Sequence, residues 1–284
     1  MSRKKLAVFV AVHTYPEVAK LTIGSFLRAH QEYEIDLHLG CHSNYSDYCK
    51  DLGLFKDLRG LAQIHLVDEI DWLGAYNACW YRYSVMHAKN LENLFKQARY
   101  ADFDQAVILD HDLFVKKDFI TPLNERFPEA DLIGCLFEDR AGLQPYETAH
   151  GEKVYSAPKI SIWHSVLSRR LFDEIVGKSA IIYPKMLIEH KARQSYFHAH
   201  PQTEDRPVFV DTFAQVYHHV ANGTDDLRAG VVSSSEFQAS VDHFYNSSFN
   251  YGSWTRGDGY PEHIKKIIDV YRREFPKGFS EFRA

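Results

Sequence analysis

A chain of 284 residues with a net charge of −5 has the length for one large domain, and its 33 Lys and Arg are scattered rather than striped. That scatter argues against nucleic acid as the main partner, because neutralising phosphates needs a clustered basic face. The four cysteines, at 41, 49, 79 and 135, form no CxxC pair, so neither a zinc site nor a redox dithiol is signalled. Free, mostly buried thiols in a reducing compartment are the simple reading.

The opening MSRKKLAVFVAV sets three basic residues before seven apolar ones. This is the short limit of a signal-peptide core, and Pro16 follows soon after, so the reading is a first buried strand over 5–12. No apolar run reaches about 18 residues, so no transmembrane helix is expected. A helix over 15–30 follows, with Pro16 suited to its first turn and Val18, Leu21 and Phe26 on one face. Strands are predicted over 34–42 and 62–69. A long helix over 74–98 carries a stripe of Ala78, Tyr81, Val85, Ala88 and Phe95. The run DQAVILD (104–110) is a fourth, deeply buried strand.

Alternation of this kind predicts βαβ crossovers and a mostly parallel sheet. Ligands in such sheets bind beyond the carboxyl ends of the strands. Those ends supply 13–15 (HTY), 41–44 (CHSN), 68–72 (DEIDW) and the Asp110-His111-Asp112 run, which should meet at one crevice.

The second half is less regular. A strand is predicted over 131–139, a Gly- and Pro-punctuated loop over 141–158 and a helix over 164–177 ending at a glycine cap. A helix over 210–221 is capped by Asp211, and 240–260 reads as loop or short strands. The segment 261–275 is an amphipathic helix, with Lys265, Lys266, Arg272, Arg273 and Lys277 around Ile264, Ile267, Ile268, Tyr271 and Phe275. Packing on the domain is the favoured reading of its apolar stripe. Resting on an anionic membrane is the other.

In an extended segment, residues i and i+2 face the same way. On that geometry Asp110 and Asp112 point together and His111 turns away. Two anions held side by side call for a divalent cation or a partly protonated pair. Solvated turn aspartates are the plain alternative. The location at the ligand-binding edge favours metal or phosphate chemistry.

The order AVHTYPE, LGCHSN, LGAYNA and VILDHDLFV resembles that of nucleotide-sugar-dependent glycosyltransferases of the GT-A fold, closest in style to the inverting family-two enzymes. The resemblance covers most of the chain. It implies an α/β GT-A fold over 1–284, with a nucleotide-binding half (1–115) and an acceptor-binding half (116–284). It implies nucleotide contacts at His13, Thr14, Tyr15, Ser43 and Asn77. Asp110 would face the ribose, and Asp110 and Asp112 would hold Mn²⁺ or Mg²⁺ on the diphosphate. Members of the fold often add a histidine from near the C-terminus. His243 fits that role, and His218 and His219 compete with it.

The resemblance also implies an inverting transfer, which needs a base for the acceptor hydroxyl. Asp211 fits best, and Glu204 and Asp205 are runners-up. An ordinary helix cap is the plain reading of Asp211. Trp163 and His164 are candidate acceptor contacts, with core packing equally weighted for Trp163. The glycine-rich 250–260 is a candidate lid carrying Arg256 as a phosphate partner, and a plain surface loop competes.

Two departures matter. The second strand ends in GCHSN rather than the acidic tip that often reads uracil, and the Gln-x-x-Arg-Trp signature of processive synthases is absent. The expectation is therefore a cytoplasmic, non-processive enzyme of surface glycan synthesis. Its donor is a nucleotide-diphosphate sugar, its acceptor a glycan or lipid-linked glycan, and contact with the membrane is peripheral. The rival readings are a nucleotidyltransferase, a metal-dependent hydrolase and a non-catalytic nucleotide-sugar-binding protein.

Overall fold

The computed structural model describes residues 3–12, 16–42, 58, 60–67, 90–91, 93–136, 146–147, 153–154, 160–173, 176, 229–232, 234–243 and 262–282. Its centre is strand β1 (Lys5–Val12), whose side chains from Leu6 to Val12 are all buried. A strand apolar on both faces needs a layer on each side, and the structure supplies both. Leu6, Val8, Val10 and Val12 face helix α1 (Pro16–Ala29), meeting Ala19, Ile23 and Phe26. Ala7, Phe9 and Ala11 face the opposite layer, where helical residues 90, 91 and 93–98 contribute Leu91, Leu94, Phe95 and Ala98 beside Leu171 and Phe172. Each Val, Leu, Ile or Phe among them contributes about 1.5–3 kcal/mol when fully buried.

Parallel neighbours extend β1 on both sides. Strand β2 (Glu34–His42) pairs with one edge and β3 (Ala62–Val67) continues beyond it. Strand β4 (Gln105–Leu109) pairs with the other edge. Four strands thus end at one edge of the sheet, as the alternation predicts. The segments that follow β1, β2 and β3 there (13–15, 43–50 and 68–72) lie outside the described residues.

Among the described residues the main sheet has seven strands, in the order β10 (Ala229–Val232), β6 (Leu132–Leu136), β9 (Ile160–Ser168), β4, β1, β2 and β3. Strand β6 (Leu132–Leu136) and β10 (Ala229–Val232) pair in parallel. Between β4 and β6 lies β9 (Ile160–Ser168), antiparallel to both. This corrects the helix expected over 164–177. Residues 164–168 are strand, and helical residues begin only at Arg169. The run ISIWHSVLS is rich in β-branched and aromatic residues, and its pairing partners override a helical reading of its second half. A two-stranded hairpin, β7 (Tyr146–Glu147) with β8 (Lys153–Val154), interrupts the loop expected over 141–158.

Outside the main sheet, β5 (Leu113–Val115) pairs antiparallel with β11 (Val241–His243). Helix α2 (Ile120–Arg126) and the short α3 (Ser234–Gln238) flank this ribbon. Helix α4 (Glu262–Glu274) lies on α1, where Ile267, Ile268 and Phe275 are buried with Val18 and Leu21. Packing therefore uses the apolar face of the terminal helix, and Lys265, Lys266, Arg272 and Arg273 are left exposed. The close approach needs a glycine. A Cβ at Gly24 would lie 2.9 Å from the Phe275 ring. Among the described residues, no helix is long and apolar enough to cross a membrane.

Two buried histidines, His38 and His30, sit in local chains of polar contacts. His38 is buried beside Phe9, with Nε2 3.1 Å from Asp36 Oδ2 and Nδ1 3.3 Å from His65 Nε2. Hydrogen bonding from His38 holds the Asp36 carboxyl below its ordinary range against the effect of burial. Burial pushes His65 down.

A second chain fixes α2. Asp118 Oδ1 accepts the N–H groups of Ile120 and Thr121, at 2.8 and 3.2 Å, and lies 3.2 Å from Nε2 of the buried His30. Burial alone would raise the Asp118 carboxyl, but its hydrogen bonds from His30 and Thr121 outweigh that and lower it to about 2. A carboxyl lowered on folding stabilises the folded chain above its unfolded value and loses that contribution as pH falls. Asp118→Asn keeps a capping residue and removes the charge. Denaturant melts should show a wild-type advantage that is constant above pH 3.8 and shrinks as pH falls towards about 2.

Candidate functional site

The order of strands reverses at β1, which has β2 on one side and β4 on the other. In open α/β sheets the crevice at such a switch point, beyond the carboxyl ends, is where ligands bind. Leu109, the last residue of β4, pairs with Val10 of β1, so Asp110 emerges at that position.

The chain does not stay extended there. Residues 111 and 112 form a turn before β5. The expectation that His111 turns away from the two aspartates fails for this reason, since the i, i+2 rule holds only along a strand. Instead Asp110, His111 and Asp112 each bring a ligand atom within 4.8 Å of the others. His111 and Asp112 are fully buried, whereas the Asp110 side chain keeps 14% exposure. The His111 amide N–H donates to Asp110 Oδ1 at 3.1 Å, and His111 Nδ1 lies 3.5 Å from the same oxygen.

Helix α1 holds this turn in place. The Thr22 hydroxyl lies 2.8 Å from both the His111 and Leu113 carbonyl oxygens, with one proton to serve them, and it accepts the Leu113 N–H at 2.9 Å. Ser25 repeats the arrangement one turn on, accepting the Val115 N–H at 3.0 Å and donating to the Thr22 carbonyl. Strand β5 pairs through one edge with β11, and these two hydroxyls satisfy backbone groups elsewhere along it. Sequence reasoning missed both residues. Their signal was a polar pair at i, i+3 on a helix face otherwise filled by apolar residues.

The β5–β11 ribbon brings a distant segment to the turn. In its register His243 sits opposite Leu113, the residue after Asp112. Lys116 reinforces the pairing, donating to the Gln238 carbonyl at 2.6 Å and to Asp242 Oδ1 at 2.9 Å. Of the residues singled out from sequence, the structure thus places Asp110, Asp112 and the backbone of His243 in one neighbourhood. His13, Thr14, Tyr15, Ser43, Asn77, Asp211 and Arg256 lie outside the described residues, as do Glu204, Asp205, His218 and His219.

Next to the site edge, β2 has its own close contact. Asn90 Nδ2 donates to the Gly40 carbonyl at 2.9 Å, and a Cβ at Gly40 would lie 1.7 Å from Asn90 Oδ1. Only glycine admits the buried Asn90 this close, so the helix and the carboxyl-end half of β2 are fixed together.

As a donor set, two carboxylates and an imidazole within one small sphere suit a divalent cation. Carboxylates supply hard oxygen ligands, and a fixed turn supplies them without reorganisation.

No family model and no curated protein matches the chain. Solved structures do match it across its length. The galactosyltransferase LgtC, solved with donor and acceptor sugar analogs, is 14% identical, with 96% of this chain and 99% of that chain covered and a TM-score of 0.50. The 4-diphosphocytidyl-2C-methyl-D-erythritol synthase of Anaerococcus prevotii is 10% identical, covering 95% of this chain and 99% of that one at a TM-score of 0.42. The inositol-1-phosphate CTP transferase of T. maritima is also 10% identical, covering 95% and 97% at 0.44. At such identities the likeness to LgtC shows the fold. The chain has a GT-A-like α/β architecture, a mostly parallel sheet flanked by helices.

Thr22→Val tests the anchoring of the turn. It leaves the buried Leu113 N–H and two carbonyls without the hydroxyl, and should cost about 1–3 kcal/mol in a urea melt. Thr22→Ser keeps the hydroxyl and should cost well under half of that. Hydrogen exchange at the Leu113 amide should speed up in the valine variant alone.

Proposed function

We propose that the chain is a metal-dependent glycosyltransferase that moves a sugar from a nucleotide-diphosphate donor to an acceptor hydroxyl. The observation that carries this reading is the Asp110-His111-Asp112 donor set, fixed at the switch-point edge of a GT-A-like sheet. Asp110 and Asp112 would hold Mn²⁺ or Mg²⁺, with His243 as a further ligand from β11. The bound ion would act as a Lewis acid on the diphosphate, offsetting charge on the leaving group.

The chain's own residues do the rest. His13, Thr14, Tyr15, Ser43 and Asn77 would contact the nucleotide from the segments that follow β1 and β2 and the segment that precedes residues 90–98. Asp110, the more exposed of the two carboxylates, would face the ribose. Arg256 would pair with phosphate. Asp211 would take the proton from the acceptor hydroxyl as its oxygen attacks the anomeric carbon, in an inverting and non-processive transfer. The nucleotide would lie over residues 1–115 and the acceptor, a glycan or lipid-linked glycan, over 116–284. A lipid-linked acceptor would meet the chain at the charged face of α4, from the cytoplasmic side of a membrane.

A thermal-shift screen tests the donor site. UDP, GDP, CDP and dTDP are each offered with Mn²⁺ or with EDTA to the wild type and to Asp112→Ala. A ligand at 100 times its dissociation constant adds about 2.7 kcal/mol of stability. One diphosphate should shift the wild type with Mn²⁺ only, and none should shift the variant. Product analysis then separates the two transferase chemistries. Release of a nucleoside diphosphate from a nucleotide sugar supports glycosyl transfer, with turnover lost in Asp211→Asn while donor binding is kept. Release of pyrophosphate from a nucleoside triphosphate would replace this reading with a nucleotidyltransferase.

A further inference from the structure

The reading above rests on the Asp110-His111-Asp112 cluster but assigns the cation only to Asp110, Asp112 and His243. We propose that His111 is itself a ligand, and that its imidazole makes this site select Mn²⁺ over Mg²⁺. The inference rests on the metal reading of the site and adds the residue that sets its specificity.

Three observations carry it. First, the turn brings the imidazole into the carboxylate cluster, with its ligand atom within 4.8 Å of both aspartates. Second, His111 Nδ1 lies 3.5 Å from Asp110 Oδ1. That is long for a charge-assisted hydrogen bond, which closes to about 2.7–2.9 Å. It matches the spacing of two donors sharing one ion, since ligands at about 2.1 Å from a metal stand roughly 3.0–3.5 Å apart. Third, the ring is fully buried and its backbone is held from both sides. Its amide N–H is bonded to Asp110 Oδ1, and its carbonyl lies 2.8 Å from the Thr22 hydroxyl. A side chain so held is delivered to the cluster by the fold itself.

The consequence follows from ligand chemistry. Mg²⁺ takes oxygen ligands and dehydrates reluctantly, so a buried nitrogen donor is of little use to it. Mn²⁺ shares the preference for carboxylate oxygen, but as a larger and softer first-row transition ion it binds an imidazole nitrogen better than Mg²⁺ does. With His243 the proposed set holds one nitrogen donor, and His111 brings a second from a fixed turn. Adding His111 tips the set towards Mn²⁺.

The test uses the full chain and the metals alone, without nucleotide. Free Mn²⁺ is titrated by electron paramagnetic resonance, with Mg²⁺ as competitor, on wild type, His111→Asn, His111→Gln and Asp112→Ala. Thermal melts confirm that each variant is folded. The expected result is that His111→Asn weakens Mn²⁺ by about tenfold or more and changes Mg²⁺ by less than about twofold, while Asp112→Ala loses both. Nitrogen-14 coupling in the spin echo of bound Mn²⁺ should fall in the same variant. His111→Gln serves in its place where the asparagine variant does not fold. Unchanged selectivity, or equal loss of both metals, in the folded His111 variants would overturn the proposal while leaving the site a metal site. A wild type that takes up neither ion would remove the metal reading itself and this inference with it.

Discussion

The Thr22 hydroxyl is the contact on which the site's geometry depends. A turn that leaves a parallel strand and starts a second, separate ribbon exposes backbone groups that the main sheet cannot pair. Buried and unpaired, each would cost about 1–3 kcal/mol. Thr22 and Ser25 answer for the groups around Leu113 and Val115 from one face of α1. Helix α1 is in turn held against β1 by Ala19, Ile23 and Phe26, and against α4 by Val18 and Leu21. The position of the Asp110–Asp112 turn is thus set by core packing two layers away.

The β5–β11 ribbon extends that arrangement to the far end of the chain. Strand β11 is short, and three residue pairs alone would be marginal in water. It is retained by Val241 in the core, by the Lys116 contacts, and by α3, whose Phe237 meets Phe119 edge to face at 5.4 Å. Arg126 closes the same region with a 2.6 Å contact to Glu236. Residues more than a hundred positions apart are therefore coupled through one small sheet. A segment from the second half is brought beside the Asp110–Asp112 turn in this way, with His243 in register opposite Leu113.

Strong periodic signals were legible in the sequence. Strands β1, β2 and β4 and helices α1 and α4 follow from apolar runs and stripes, because burial on fixed faces writes those patterns directly. Strand β9 was misread, since its antiparallel insertion between β4 and β6 depends on partners remote in sequence. Strands β5 and β10 and helix α3 are short and take their stability from tertiary contacts, so local propensity says little about them. At the site, Asp110 and Asp112 were legible because two carboxylates ending an apolar strand are costly without a reason. His111 was misjudged because the i, i+2 rule assumes a strand where the chain in fact turns. Thr22 and Ser25 escaped because a hydroxyl on a buried helix face is read as neutral until its backbone partner is known.

Electrostatics explains why such a turn must be held by something other than itself. Two ionised carboxylates no more than 4.8 Å apart repel by at least ~3 kcal/mol at an effective dielectric constant of 20. The His111 N–H on Asp110 offsets part of that, since a hydrogen bond to a charged group contributes about 1.5–3 kcal/mol. Burial of Asp112 removes the water that would screen the repulsion. A divalent cation at carboxylate distance reverses the sign of the interaction, because each oxygen then faces two positive charges at less than half that separation. Thr22, Ser25 and the ribbon keep the donors together, so little of an ion's binding free energy would be spent gathering them.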